Sequence, residues 1–268
     1  WSTGGTNPIE TGLSFANNPI SVTVTDLAGC VTTANITISE PSAVVASIPS
    51  TIDVACFGDS TGQATAAGAG GTPGYTFNWS NGQTGPVATN LFVAGNPYQV
   101  VVRDTNSCAD SIQININEPA TPVSAVITVD SNVDCNGNST GGLSVVASGG
   151  TPVKVPQPNG TGYTYAWSGS PSTGPSATGL AAGNYCVSVT DSLGCVFVIC
   201  EDVTEPPLLT ITVTDTVNVA CFGDSTGSLT VAGNGGTPVY AYLWSDGQTG
   251  PVASNLPAGT LFTVTVTD

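Results

Sequence analysis

The chain of 268 residues carries 18 acidic side chains against 2 basic ones, a net charge of −16, and has no histidine. Without histidine there is no Ser-His-Asp or Cys-His nucleophile system and no imidazole metal ligand, because both need a group that titrates near neutrality or a neutral ring nitrogen; an enzyme is not expected. Nucleic acid binding and membrane attachment run on lysine and arginine neutralising phosphate, and with Lys154 and Arg103 as the whole basic complement neither partner is expected.

The elements repeat along the chain. Trp-Ser occurs at Trp1, Trp79, Trp167 and Trp244, Glu-Pro at Glu40, Glu118 and Glu205, and Gly-Gly-Thr-Pro at Gly70, Gly149 and Gly235. From Glu40 to Glu118 is 78 residues, from Gly70 to Gly149 is 79, and the third copy, Glu118 to Glu205, is stretched to 87. Each copy opens on a cysteine motif, Cys56 to Gly62, Cys135 to Gly141 and Cys221 to Gly227. Period-two alternation then predicts a strand at Gln63 to Ala66, Leu143 to Val146 and Leu229 to Ala232. After the Gly-Gly-Thr-Pro turn comes an aromatic strand, Tyr75 to Trp79, Tyr163 to Trp167 and Tyr240 to Trp244, whose rings alternate onto one inward face. Asn81-Gly82 and Asp246-Gly247 supply residues that accept positive φ in a tight turn. A short Ala-x-x-Leu strand and an Ala-Gly turn lead to the most regular strand, Ile20 to Asp26, Tyr98 to Asp104, Tyr185 to Asp191 and Phe262 to Asp268. A last strand such as Cys30 to Ser39 closes at Glu-Pro.

No 3.6-residue period occurs, so no helix is predicted. About seven short strands in roughly 80 residues, with turn signals every 8 to 12, predict an all-β chain of tandem immunoglobulin-like β-sandwich repeats. The Glu-Pro seams divide it into a C-terminal part of a repeat module at 1–40, full modules at 41–118 and 119–205, the latter with an inserted loop, and an N-terminal part at 206–268. No run of 18 apolar residues is present, so no membrane insertion is expected. Starting at Trp1, the chain reads as a mature fragment or a window on a longer protein.

These phrases together, Cys-Phe-Gly-Asp-Ser-Thr-Gly, Gly-Gly-Thr-Pro-x-Tyr, Trp-Ser-x-Gly-Gln-Thr, Ala-Gly-x-Tyr-x-Val-x-Val-Thr-Asp and Gly-Cys, resemble the SprB-type repeat of Bacteroidota cell-surface adhesins and gliding-motility proteins. The resemblance covers nearly the whole chain. It implies a secreted protein of type 9 export, a repetitive stalk or adhesin with no catalytic residue to carry over.

Eight cysteines at repeating positions, without paired C-x2-C knuckles, read as disulfides formed in an oxidising extracellular compartment. Cys186 and Cys200 sit symmetrically about the turn Ser192 to Gly194 and fall opposite each other on a hairpin, where a bond contributes about 3 kcal/mol in the chain-entropy estimate. The other six admit two schemes. Pairing across the seam gives Cys30 with Cys56, Cys108 with Cys135 and Cys195 with Cys221; pairing within a module gives Cys56 with Cys108 and Cys135 with Cys195. The start of the second strand and the last hairpin of one sandwich lie roughly 30 Å apart, too far for a disulfide, which favours pairing across the seam.

The Asp-Ser-Thr of the cysteine motif reads first as a turn. Calcium is the rival, with Asp59, Asp104 and Asp224 as hard oxygen ligands, although no D-x-D-x-D loop is present; no other cofactor is expected. As the resemblance implies, Asp-Ser/Thr sites at Ser60, Ser111, Ser192, Thr216 and Ser225 fit O-glycosylation, which would make the chain a glycoprotein. Sequons at Asn35, Asn78, Asn138 and Asn159 are frequent by chance in so Asn- and Thr-rich a chain. The inserted loop, Val153 to Gly162, reads as a neutral length change ahead of a binding tip, and the tryptophans as core anchors ahead of sugar platforms. The expected protein is therefore an extracellular structural and adhesive repeat on a bacterial cell surface, forming a stiff stalk or filament. Its partners are neighbouring repeats of the same chain, like subunits in a filament, or a surface polysaccharide. The alternative is a set of carbohydrate-binding accessory modules of a secreted enzyme.

Overall fold

A computed structural model describes residues 1–152 and 162–268; of the inserted loop, Val153 to Gly162, all but Gly162 lies outside the described residues, as do Lys154 and Asn159. The chain divides into two compact units, one of residues 1–54 and 58–118, the other of residues 55–57 and 119–268.

In the first unit, β1 (Ile20–Thr25) and β2 (Val31–Ile36) form a two-stranded antiparallel hairpin. They are followed by β3 (Val45–Ile52), β4 (Gly62–Ala69), β5 (Thr76–Trp79), β6 (Val87–Leu91), β7 (Tyr98–Arg103) and β8 (Ala109–Ile114). These six make two three-stranded antiparallel sheets, ordered β3-β4-β6 and β5-β7-β8. That is the immunoglobulin-like arrangement with six strands where the sequence suggests seven: the fourth strand of the first sheet is absent. The second unit repeats it. Strands β9 (Ser124–Ser131), β10 (Gly141–Ser148), β11 (Thr164–Trp167), β12 (Ser176–Leu180), β13 (Gly183–Thr190) and β14 (Val196–Val203) form sheets β12-β10-β9 and β11-β13-β14. Last come β15 (Thr210–Val217), β16 (Gly227–Asn234), β17 (Ala241–Trp244), β18 (Val252–Leu256) and β19 (Val264–Thr267), in sheets β15-β16-β18 and β17-β19. Two single-turn 3₁₀ segments, Phe15–Asn17 and Val93–Gly95, are the only helical residues among those described, and no helix there is long and apolar enough to cross a membrane.

The period-two pattern sets which side chains go inward. On β7, Tyr98, Val100 and Val102 are buried and the residues between them are not; on β13, Val187 and Val189 are fully buried. Each such side chain contributes about 2 kcal/mol of transfer free energy, set against the entropy of ordering it. They pack with the aromatic strand. Trp79 and Leu91 join Val100 and Val102 in one buried cluster, and Trp167, Tyr165, Leu143 and Leu180 join Val187 and Val189 in another. Trp244 with Val231, Ala253 and Leu256 makes a smaller third. Three tryptophans are thus core anchors, at 4%, 7% and 3% exposure, and each indole N–H is satisfied by a carbonyl at 3.0 Å, from Gly85, Gly174 and Gly250.

The edge strand β3 contains Pro49 where its register against β4 shifts, between Ser47 and Ser50, a position at which the missing N–H costs no ladder bond. At the end of β4 the Gly-Gly-Thr-Pro turn needs glycine for two separate reasons. Gly71 has φ +57°, and a Cβ there would stand 2.6 Å from Oδ2 of Asp104. Gly71→Ala is expected to destabilise the first unit by about 2 kcal/mol or more, because the left-handed backbone alone costs an L residue about 1–2 kcal/mol and the clash adds to it. Gly82→Ala, with φ +86° and nothing within 4 Å, should show the backbone cost alone. Urea unfolding of the two variants measures the difference; equal losses would show that the approach to Asp104 is immaterial.

Candidate functional site: the two ends of a module

Strand register gives each sandwich two distinct ends. Val45 pairs with Ala69, beside the Gly-Gly-Thr-Pro turn, and Gly71 donates its N–H to the carbonyl of Ser42. The chain therefore comes in at that end, the proximal one. The β7–β8 hairpin turns at the same end, since the N–H of Thr105 reaches the carbonyl of Thr72.

One aspartate holds the proximal end together. Oδ1 of Asp104 accepts the N–H groups of Asn106 and Cys108, at 2.9 and 2.8 Å, and Oδ2 accepts that of Thr72 at 2.9 Å. Asp191 repeats this, with Leu193 and Cys195 on Oδ1 and Thr151 on Oδ2. Asp26 binds Ala28 and Cys30 in the same way, and Asp268 binds Thr237. Asp104 and Asp191 are the buried charged side chains among the described residues. Each ties its own turn to the neighbouring one, so the Val-Thr-Asp phrase ends in a clamp.

The distal end is closed by a second carboxylate. Oε2 of Glu118 accepts the N–H of Gly58 at 2.7 Å, and Oε2 of Glu205 accepts that of Gly137 at 2.7 Å. The glycines of the cysteine motif have positive φ, 78° at Gly58 and 82° at Gly137, which turns their N–H groups out toward the glutamate. The Glu-Pro pair is therefore a loop clamp as well as a seam. In the third copy Asp134 adds a local network, accepting from the hydroxyl of Thr140, the amide of Asn138 and the N–H of Cys135. In the fourth, Thr226 accepts the N–H of Ala220.

The cysteines follow this polarity. Cys186 and Cys200 are register partners on β13 and β14 and form a disulfide, with Cα atoms 3.9 Å apart. The other bond is Cys56–Cys195, with Cα atoms 5.6 Å apart and a sequence separation of 139; the 55–57 segment that carries Cys56 belongs to the second unit. Cys30, Cys108, Cys135 and Cys221 are exposed thiols. This corrects both schemes drawn from spacing. Cys56 bonds neither Cys30 nor Cys108, and Cys195 bonds neither Cys221 nor Cys135. The physical reason lies in the ends. A motif cysteine is distal and a hairpin cysteine proximal, so the hairpin cysteine before a seam and the motif cysteine after it lie at the far ends of two successive sandwiches.

The aspartates considered as calcium ligands do not gather: Asp104 is proximal with both oxygens occupied, and Asp59 and Asp224 stand on exposed distal turns. Among the described residues no three acidic or cysteine side chains cluster as a metal site. Ser60, Ser111, Ser192, Thr216 and Ser225 are all exposed; the hydroxyl of Ser192 donates to the carbonyl of Thr151 and that of Ser111 accepts from Gln99. Sequence reasoning missed the clamping roles of Asp104, Asp191, Glu118 and Glu205. Their signal was an acid recurring at one phase of the repeat, next to a turn each time.

The backbone N–H of Thr72, then those of Cys108 and Asn106, hold the carboxyl of Asp104 below the usual range, against the opposing effect of desolvation. Asp134 is lowered first by the hydroxyl of Thr140. The unfolded value is about 3.9 and the folded values lie beneath it, so this stabilisation is complete above the ordinary carboxylate range and is lost as pH falls through the folded values. The unfolding midpoint is expected to be flat from about pH 7 to 5 and to fall below about pH 4. Asp104→Asn should lower the midpoint at neutral pH and flatten the acid slope; an unchanged slope in that variant would contradict the clamp.

Among known proteins, the family model of the SprB repeat matches residues 49–84 and 213–249. No curated protein matches the chain. Solved structures are similar at low identity. The three N-terminal domains of the bacteriophage RB49 highly immunogenic outer capsid protein are 16% identical, covering 76% of this chain and 74% of that one, with a TM-score of 0.33. A tetra-tandem repeat in the extending region of a large adhesion protein is 15% identical, covering 91% and 71%, with a TM-score of 0.24. Both matched segments run from the first strand of a module through the cysteine motif and Gly-Gly-Thr-Pro to the turn after Trp-Ser, so the similarity to the SprB repeat falls in the second and fourth copies.

Proposed function

We propose that this chain is a run of structural modules from a secreted protein of a bacterial cell surface, where the array forms a stiff stalk or filament that carries adhesive surface away from the cell. The observation that supports it is the polarity of the module: the chain comes in at the end of Asp104 and leaves at the end of Glu118, so each copy adds its own length to the array. At about 3.3 Å per residue, strands of this size with their turns add roughly 30 to 40 Å each. The SprB match supports the surface setting, and the absence of histidine favours a structural role over a catalytic one. Carbohydrate-binding accessory modules are disfavoured, because Trp79, Trp167 and Trp244 are buried and cannot offer their faces to a sugar. Negative-stain electron microscopy and small-angle scattering of the chain should show an elongated particle; a compact globule would refute the stalk. Binding of a surface polysaccharide through the buried tryptophans would refute the rejection of the carbohydrate reading.

A further inference from the structure

We propose that the four exposed thiols are halves of the same bond as Cys56–Cys195, and that each is completed by the opposite-class cysteine of another module of this kind, here offered by a second copy of the chain. The two classes are the motif cysteine, which opens Cys-x-Gly-x-Ser-Thr-Gly at the distal end of a module, and the hairpin cysteine, which follows the Asp clamp at the proximal end. Cys56 is of the motif class and Cys195 of the hairpin class. The thiols divide evenly: Cys135 and Cys221 are motif cysteines, Cys30 and Cys108 hairpin cysteines. Since the chain leaves a module at its distal end, the structure that follows is met proximal end first. The bond thus joins the classes that chain direction brings together.

A second observation points to the same partner. Beside the bonded motif cysteine, Phe57 is 46% exposed, whereas its counterpart beside a free thiol, Phe222 next to Cys221, is 106% exposed. The phenylalanine that stands fully in solvent at the unbonded motif cysteine is half covered where the bond has formed. Phe222 is therefore one flank of the joint, and the pair Cys221 with Cys30 of another copy, where Leu27 also stands exposed, is the first to close. A distal surface that fits a proximal one on the next copy is a heterologous interface, which propagates from copy to copy unless its rotation closes a ring.

The chemistry is thiol–disulfide exchange with a small-molecule disulfide as oxidant. One protein thiolate attacks oxidised glutathione, forms a mixed disulfide and expels one glutathione thiolate. The second protein thiolate attacks the protein-side sulfur of that mixed disulfide and expels the other. The two protein thiols lose two protons and two electrons, and one glutathione disulfide becomes two glutathione thiols. The proposal stands on the repeat chemistry alone, whether or not the array is a stalk.

The test incubates the 268-residue chain with oxidised glutathione, then uses a non-reducing gel and mass spectrometry of peptic peptides. A reductant-reversible ladder of oligomers is expected, with Cys221 joined to Cys30 as the leading cross-link. The double variant C30S/C108S keeps both existing disulfides and two motif thiols, and should lose the ladder entirely; Phe222→Ser keeps every cysteine and should slow its growth. Monomers carrying only glutathione caps would overturn the proposal. So would cross-links between two motif or two hairpin cysteines, or a ladder that persists in C30S/C108S.

Discussion

The rest of the structure depends on one constraint of strand direction: the first and last strands of each sandwich, β3 and β8 or β9 and β14, run the same way. Antiparallel pairing within each three-stranded sheet and the crossings between sheets leave the chain at the end opposite to the one where it came in. A module therefore has a head and a tail. Its turns fall into two groups, each with its own clamp. Asp104 and Asp191 hold the Gly-Gly-Thr-Pro turn to the β7–β8 or β13–β14 hairpin. Glu118 and Glu205 hold the cysteine motif to the departing chain.

The clamps also answer a question of charge. A chain with 18 carboxylates and one lysine and one arginine cannot balance its acids with ion pairs. The donors are instead backbone N–H groups of turns, which strand ladders leave unpaired and which bond a carboxylate about twice as strongly as a neutral acceptor. Acids and turns solve each other's problem. Such bonds are short-ranged and fixed in place, so they are less exposed to salt than surface ion pairs would be, a property suited to an extracellular protein.

Much of this was legible in the sequence. Alternation marks the strands at β5 and β7 within one residue and at β4 within three, because one face of each is buried and register is then strongly specified. The first strand of each module was not read, although Ser124–Ser131 and Thr210–Val217 carry β-branched residues at alternate positions. These are edge strands, and β15 is exposed along its whole length, so little core pressure shapes them. The tryptophans were read as core, and Trp79, Trp167 and Trp244 are. The pairing of Cys56 and Cys195 was not legible from spacing, because spacing counts residues along the chain and says nothing about which end of a sandwich a loop occupies. The motif cysteine and the hairpin cysteine of one sandwich lie at its opposite ends, too far apart for a disulfide.

The Cys56–Cys195 bond has a mechanical meaning. Tension pulled through the backbone from Glu40 toward Glu205 meets a covalent shortcut at Cys56 and leaves it at Cys195, so the 139 residues of that separation carry none of the load. Fully drawn out, they would amount to roughly 450 to 500 Å of slack. Held behind a covalent bond, that length is unavailable to force.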